Sequence, residues 1–255
     1  GARASGAEGA ALGGGHAMIH EIQAKTLLAH ITRPDPWFGI KYNMNIYRGC
    51  QHQCIYCDSR SECYGIEDFG DVLVKVNAIE RLEDELPRKR AKGLIGTGSM
   101  SDPYGPVEAS YRLTGRALEV IACHGFAVHL ITKSDLVLRD ADVLAEIHAR
   151  ARATVSFTIT TPHDDLARQL EPGAPPSSRR FAALAALAAR GIDVGVTMMP
   201  ILPFIEDAEE DVREIVTRAK ECGARYVMAG WGLTMRDRQR EYYYRELDRL
   251  FPGLR

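Results

Sequence analysis

The chain has 255 residues, 45% hydrophobic and 26% charged, enough apolar material for one sizeable core and within the range of a single α/β barrel-like catalytic domain. Its net charge of −2 supplies no global basic field, so a nucleic-acid partner would have to meet a local patch. The longest apolar runs, such as VGVTMMPILPF, fall well short of the ~20 residues that span a bilayer, and the N-terminus lacks the basic-then-apolar pattern of a signal peptide. The expectation is a soluble, cytoplasmic protein with no membrane partner.

Residues 1–17, GARASGAEGAALGGGHA, are nearly all Gly and Ala. They carry too few bulky apolar groups to offset the entropy of ordering, and the reading is a flexible leader. Residues 18–40 follow as an N-terminal connecting segment in which Pro34 and Pro36 forbid regular structure.

From there the chain alternates. Short β-branched or aliphatic runs predict buried parallel strands near 42–47, 93–98, 127–132, 154–160, 193–199 and 225–230. Each is followed by a segment of helical character, over 77–90, 109–124, 140–151, 178–190, 207–221 and 237–250. Six strand–helix units in series imply a parallel sheet with right-handed crossovers, hence a doubly wound sheet or an open barrel. In either architecture the working face is built from the loops after strand C-termini. Here those loops are RGCQHQCIYCDSR, GTGSMSDPYGPVE, TKSD and TTPHDD, all polar, glycine-rich or charged.

The first of these loops places Cys50, Cys54 and Cys57 within eight positions; Cys63, Cys123 and Cys222 are scattered. A disulfide framework belongs to small secreted scaffolds, so reduced thiols are expected. Three readings compete. Small buried hydrophobes fit poorly beside Gly49, Gln51, His52 and Gln53. A zinc site with His52 or Cys63 as fourth ligand lacks a second ligand pair from a distant segment. An iron–sulfur cluster fits better, because thiolates hold such clusters and three ligands leave one iron open to a small molecule.

The CxxxCxxC spacing after the first strand of a six-unit βα chain resembles the radical S-adenosylmethionine (SAM) superfamily. NIYRGCQHQCIYCDSRS, GTGSMSDPYGPVE, LITKSD, SFTITT, LEPGAPPSSRRFAALAALAARGIDVGVTMMPILP and YYYRELDRLFPGLR together resemble its spore photoproduct lyase-like group, over roughly residues 40 to 255. The resemblance implies a partial TIM barrel, a (βα)6 radical SAM core over 41–255. It implies a [4Fe-4S] cluster on Cys50, Cys54 and Cys57, SAM on the fourth iron, and reductive cleavage to a 5′-deoxyadenosyl radical. An electron donor such as flavodoxin or ferredoxin is then expected. The implied substrate is a DNA photolesion of the spore-photoproduct kind. RNA, a peptide or a small molecule is the alternative substrate, and a non-catalytic zinc-binding interaction domain is the alternative of another class.

By the same resemblance Gly96, Thr97, Gly98 and Ser99 form the loop that holds the SAM amino group, with Asp102 adding charge. Lys133 is expected to meet the SAM carboxylate, Thr158 and Ser156 to offer hydroxyls from the fourth strand, and Tyr56 to lie against the adenine. Each has a structural alternative: a tight βα turn for Asp102, a surface lysine for Lys133, ordinary strand residues for the hydroxyls and packing under the loop for Tyr56. Glu171 in LEPG resembles a family loop residue or simply precedes a turn. Met198 and Met199 border the cofactor or belong to the core. The chain departs from the lyase at two places. Ser99 stands where the lyase has a further cysteine that returns hydrogen to product, and an O–H bond is too strong to donate easily; Cys63 is the candidate substitute. Asp58 replaces the tyrosine after the third cysteine. The stretch 236–249, RDRQREYYYRELDR, reads as core packing through Tyr243, Leu247 and Leu250 in preference to a phosphate clamp.

Overall fold

The structure, a computed structural model, describes residues 18–33, 35–66 and 68–255. The leader expected over 1–17, and Pro34, lie outside the described residues. The segment read as a connector supplies two strands, β1 (Ile19–Ile22) and β2 (Leu28–His30). Then come β3 (Ile40–Met44), the short β4 (Tyr47–Arg48) and β5 (Val72–Lys75). After α1 (Ala78–Glu85) and β6 (Leu94–Thr97) the chain forms α2 (Glu108–Tyr111), α3 (Leu113–His124), β7 (Ala127–Thr132), α4 (Ala141–Arg150) and β8 (Ala153–Thr158). It continues through α5 (Asp164–Leu170), α6 (Ser177–Ala189), β9 (Asp193–Ile201), α7 (Glu209–Glu221), β10 (Val227–Trp231) and α8 (Asp237–Leu250).

Seven strands form the main sheet in the order β10-β9-β8-β7-β6-β3-β2. All pairings are parallel except β2 on β3, which is antiparallel from Leu28↔Met44 to His30↔Tyr42. The six parallel strands lie in chain order without reversal. A doubly wound sheet would reverse at a switch point, so the order selects the partial TIM barrel: right-handed crossovers all step the same way and put the helices on one face. Every residue of β8 is buried, as a strand covered on both faces requires. The helices reach this core through residues three and four apart, such as Leu144 and Ile147 on α4 and Leu184 and Leu187 on α6.

Two elements differ from the sequence reading. The helix expected over 109–124 is broken at Arg112, which has a left-handed φ of 53°. Its cause is Glu108, whose buried carboxylate accepts from the first-turn amides of Thr114 (3.0 Å) and Gly115 (3.3 Å) and from the Tyr47 hydroxyl, with Arg139 paired to it. An acid against the N-terminal amides of α3 satisfies orphan donors and the helix dipole. The TTPHDD loop runs on into α5, with Asp164 and Asp165 in its first turn.

A smaller sheet joins β5 in parallel to β1 and antiparallel to β4. Its place beside β4 sets the course of the cysteine loop. A membrane-spanning helix would need a longer apolar stretch than any helix among the described residues provides.

Candidate active site

The cysteine loop leaves β4 through Gly49, whose φ of +83° and lack of a side chain are both required: a Cβ there would stand 1.9 Å from the Asp71 carbonyl oxygen. Cys50 N donates to Phe69 O at 3.2 Å and Ile55 N to Leu170 O at 2.9 Å. Gly173 N donates to His52 O at 3.0 Å. Gly173 approaches so closely that a Cβ on it would lie 2.0 Å from Gln51 O. Ser101 Oγ donates to Gly49 O (2.7 Å) and Ser59 Oγ to Met100 O (2.9 Å), tying the loop to the one after β6. Beneath it, Tyr243 and Leu247 of α8 pack with Cys54, Ile55 and Tyr56, and Gln239 Nε2 donates to Tyr56 O at 3.3 Å. The buried Arg60 guanidinium donates to Cys54 O and Gln53 Oε1 and lies over the ring of Tyr242 at 3.7 Å.

A cavity of about 740 Å³ opens at the C-terminal ends of the strands. Cys50, Cys54 and Cys57 line it, and so do Tyr56, Gly98, Ser99, Asp102, Lys133 and Thr158. Thr158 Oγ1 meets Thr197 Oγ1 at 3.0 Å. Gly98, with φ of +102°, is held so close to Ile131 O that no side chain fits there. Met199 also lines the cavity, while Met198 is in the core.

Four of the expected site residues are not among those lining the cavity. Gly96 lies mid-strand, where its missing Cβ makes room for the Ile40 side chain, and Thr97 is buried at the end of β6. Ser156 shares a strand face with Thr158 but sits one pleat nearer the N-terminal end, bonded to His129 Nε2 (2.7 Å) and Tyr226 Oη (2.5 Å). Cys63 is exposed on a 3₁₀ turn, its Sγ 3.5 Å from Ser61 Oγ. Asp58 is paired with Arg236 at 2.6 Å and accepts from the Tyr64 hydroxyl.

Asp102 is the hinge of the polar wall. It accepts from Thr132 Oγ1 (2.6 Å), Lys133 N (2.7 Å) and Tyr104 N (2.9 Å), and pairs with His52 Nδ1 at 3.3 Å. Burial opposes its charge, yet His52 and these donors hold the carboxyl down at about 2. Burial likewise opposes the imidazolium of His52, but Asp102 and Cys50 raise it to about 10. Burial also works against the Cys50 thiolate, and the charge and hydrogen bond of His52 outweigh it, so that this thiol is held below its ordinary value. Burial pushes the Cys54 and Cys57 thiols up.

A second buried network stands behind Lys133. Its Nζ is 3.8 Å from Glu171, and the ammonium lies 5.7 Å from the centre of the Tyr56 ring. Glu171 also takes the Tyr56 hydroxyl and pairs with Arg180 at 2.5 Å, both side chains 1% exposed. Despite burial, Arg180 and Lys133 keep the Glu171 carboxyl below the usual carboxylate range. Arg180 carried no signal as a cofactor-site residue in the sequence, where only the LEPG match drew attention to its segment, and His52 was read there only as a possible zinc ligand.

The thiols fit an iron–sulfur cluster as a donor set. They are free, share one cavity, and have Arg60 and Lys133 nearby to offset thiolate charge. Among the described residues no three His, Cys, Asp or Glu side chains converge as around a single ion, and cluster ligands stand farther apart because each binds a different iron.

The fold is thus a partial barrel with a thiol triad lining one cavity at the C-terminal ends of its strands. Residues 44–219 match the Radical SAM superfamily. An uncharacterized protein of Mycobacterium tuberculosis is 29% identical over 92% of this chain and 71% of its own length. Another from Methanocaldococcus jannaschii is 36% identical over 69% of this chain and 66% of its own. A spore photoproduct lyase variant with bound AdoMet and dinucleoside spore photoproduct superposes with a TM-score of 0.65 at 15% identity, covering 93% of this chain and 68% of that one. The chain belongs to the radical SAM superfamily and is an enzyme with a spore photoproduct lyase-like fold. That membership sets aside the zinc-binding interaction domain.

Proposed function

We propose that Cys50, Cys54 and Cys57 hold a [4Fe-4S] cluster with SAM on its open iron, and that the enzyme abstracts hydrogen from a DNA photolesion of the spore-photoproduct class. The observation that carries the cofactor reading is the convergence of the three thiols, Lys133 and the loop after β6 on one cavity. Once reduced by an external donor, the cluster would supply one electron for homolytic cleavage of the sulfonium–C5′ bond of SAM, leaving methionine and a 5′-deoxyadenosyl radical. The chain's own groups bind and orient. Lys133 offers a cation to the SAM carboxylate, and Gly98 and Ser99 offer backbone carbonyls to its ammonium. Tyr56 and Thr158 face the adenosyl group. Asp102 acts as a positioning residue, fixing His52 against Cys50. Flavodoxin or ferredoxin is the proposed electron donor, and residues 41–255 the catalytic domain.

The lesion reading is supported by a fold on which a known lyase binds both AdoMet and dinucleoside spore photoproduct. One observation favours a second reading, in which RNA, a peptide or a small molecule is modified: Ser99 is the hydroxyl lining the cavity at the hydrogen-donor position, and Cys63 is not among the lining residues.

The test is anaerobic turnover of reconstituted protein with SAM and dithionite, counting 5′-deoxyadenosine by mass spectrometry with and without DNA containing spore photoproduct. Deoxyadenosine together with restored thymine is expected, and both should vanish in Cys50→Ala. Deoxyadenosine indifferent to the lesion would sink the repair reading and leave the second; an intact cluster and turnover in Cys50→Ala would sink the ligand assignment.

A further inference from the structure

Trp231, the last residue of β10, lines the same cavity as the thiols and has 67% of its surface exposed. Single exposed apolar residues are ordinary; this one is built. The β10–β9 register shifts between Ala229 and Trp231, and such a bulge re-aims a side chain. Glycines flank the indole. A Cβ on Gly230 would meet the Met199 side chain at 2.9 Å, so the gap lets Met199 lie alongside. Gly232 has φ of +77°, turning the chain away while its N–H donates to Ile201 O at 3.2 Å. The backbone is thus fixed to the sheet while the indole stays largely exposed in the cavity that the thiols also line. Met199, which lines the same cavity, is 42% exposed.

We infer that Trp231 is a stacking platform for a planar unsaturated ring of the substrate, a pyrimidine base, holding it over the mouth of the cavity. The inference rests on the nucleic-acid reading above and adds to it a specificity-determining residue. An indole ring suits the task because every base offers a π-face, and its rigidity limits the entropy lost on binding. The apolar side of Met199 widens the platform without competing hydrogen bonds.

The sequence has two tryptophans, and Trp37 lines a different cavity, so Trp37→Phe leaves an emission that reports Trp231 alone. Holoenzyme of that variant is titrated with a short single-stranded thymine oligonucleotide, and binding is followed in parallel by anisotropy of a labelled copy. Saturable quenching is expected. Trp231→Ala should weaken binding about tenfold or more, and Trp231→Phe should recover most of it. Iron content and melting temperature serve as folding controls. Binding without quenching, or equal affinity in Trp231→Ala, overturns the platform while leaving the nucleic-acid reading standing. No oligonucleotide binding by the wild-type chain overturns the nucleic-acid reading, and the platform for a base falls with it.

Discussion

Gly173 shows how little freedom the cysteine loop has. A methyl group there meets the Gln51 carbonyl, so Gly173→Ala must displace the segment that carries Cys50 and Cys54. Overpacking of this kind costs about 1–3 kcal/mol; urea unfolding should register it, and iron bound per chain after reconstitution should fall with it. The buried Glu171–Arg180 pair is more costly to break. Glu171→Gln strands a guanidinium in the core, with an expected loss of about 3–5 kcal/mol and a weaker response to SAM, because Lys133 and Tyr56 lose their common anchor. Glu206 behaves in the opposite sense. Burial first, then the charge of Glu171, pushes its carboxyl up to about 8, against hydrogen bonds from Thr160 Oγ1 (2.5 Å) and Leu202 N (3.1 Å). The folded chain therefore keeps a proton that the unfolded chain releases above the ordinary 4.5. Its stabilising contribution is full below that value and is lost as pH rises through about 8. Unfolding free energy measured across this window should slope downward, and Glu206→Gln should flatten the slope.

Among elements, α8 matters most to the site. Asp237 accepts from Ser61 Oγ at 2.8 Å, Arg238 donates to Arg60 O at 2.9 Å, and Leu247 closes the small apolar cluster under Cys54. Leu247→Ala should cost about 2–5 kcal/mol and, unlike an equivalent change in α4, should also lower iron loading. The helix itself was legible in the sequence to the residue, because Tyr243, Leu247 and Leu250 keep one face apolar. The break at Arg112 was not: it depends on Glu108 meeting Tyr47 and Arg139, partners 61 and 31 positions away, which no local pattern encodes. The strands of 18–40 were hidden for a related reason. β1 and β2 are short and largely exposed, so they lack the apolar run that announces a buried strand, and pairing with β5 and β3 defines them.

At the scale of the molecule, the parallel sheet and the face carrying the candidate site followed from six alternating units, whereas the choice of a barrel over a doubly wound order came from the family resemblance and is seen in the unreversed strand order. The cysteines were legible because their spacing is local; Lys133 and Thr158 came from the family resemblance, and both line the cavity with the thiols. Ser156 shows the limit: alternation gives the face of a strand, not the depth at which a side chain meets the cavity. His52, Asp102 and Thr132 form one chain only in three dimensions. If the cavity holds SAM on the cluster, then SAM at about a hundred times its dissociation constant should stabilise reconstituted protein by ~2.7 kcal/mol. The same addition should shift the melting temperature of Cys54→Ala far less.

Part of the frame that holds the cysteine loop lies far along the chain. Ile55 waits for Leu170, Tyr56 for Glu171, a separation of 115 positions, and then for Gln239, a separation of 183. While a ribosome is still threading out the first half of the barrel, the three thiols and their nearer partners Phe69 and Ser101 are present, but the contacts from Leu170, Glu171 and Gln239 are not. A chain cut short before α8 should therefore take up less iron on reconstitution than the full chain, although all three thiols are present in it.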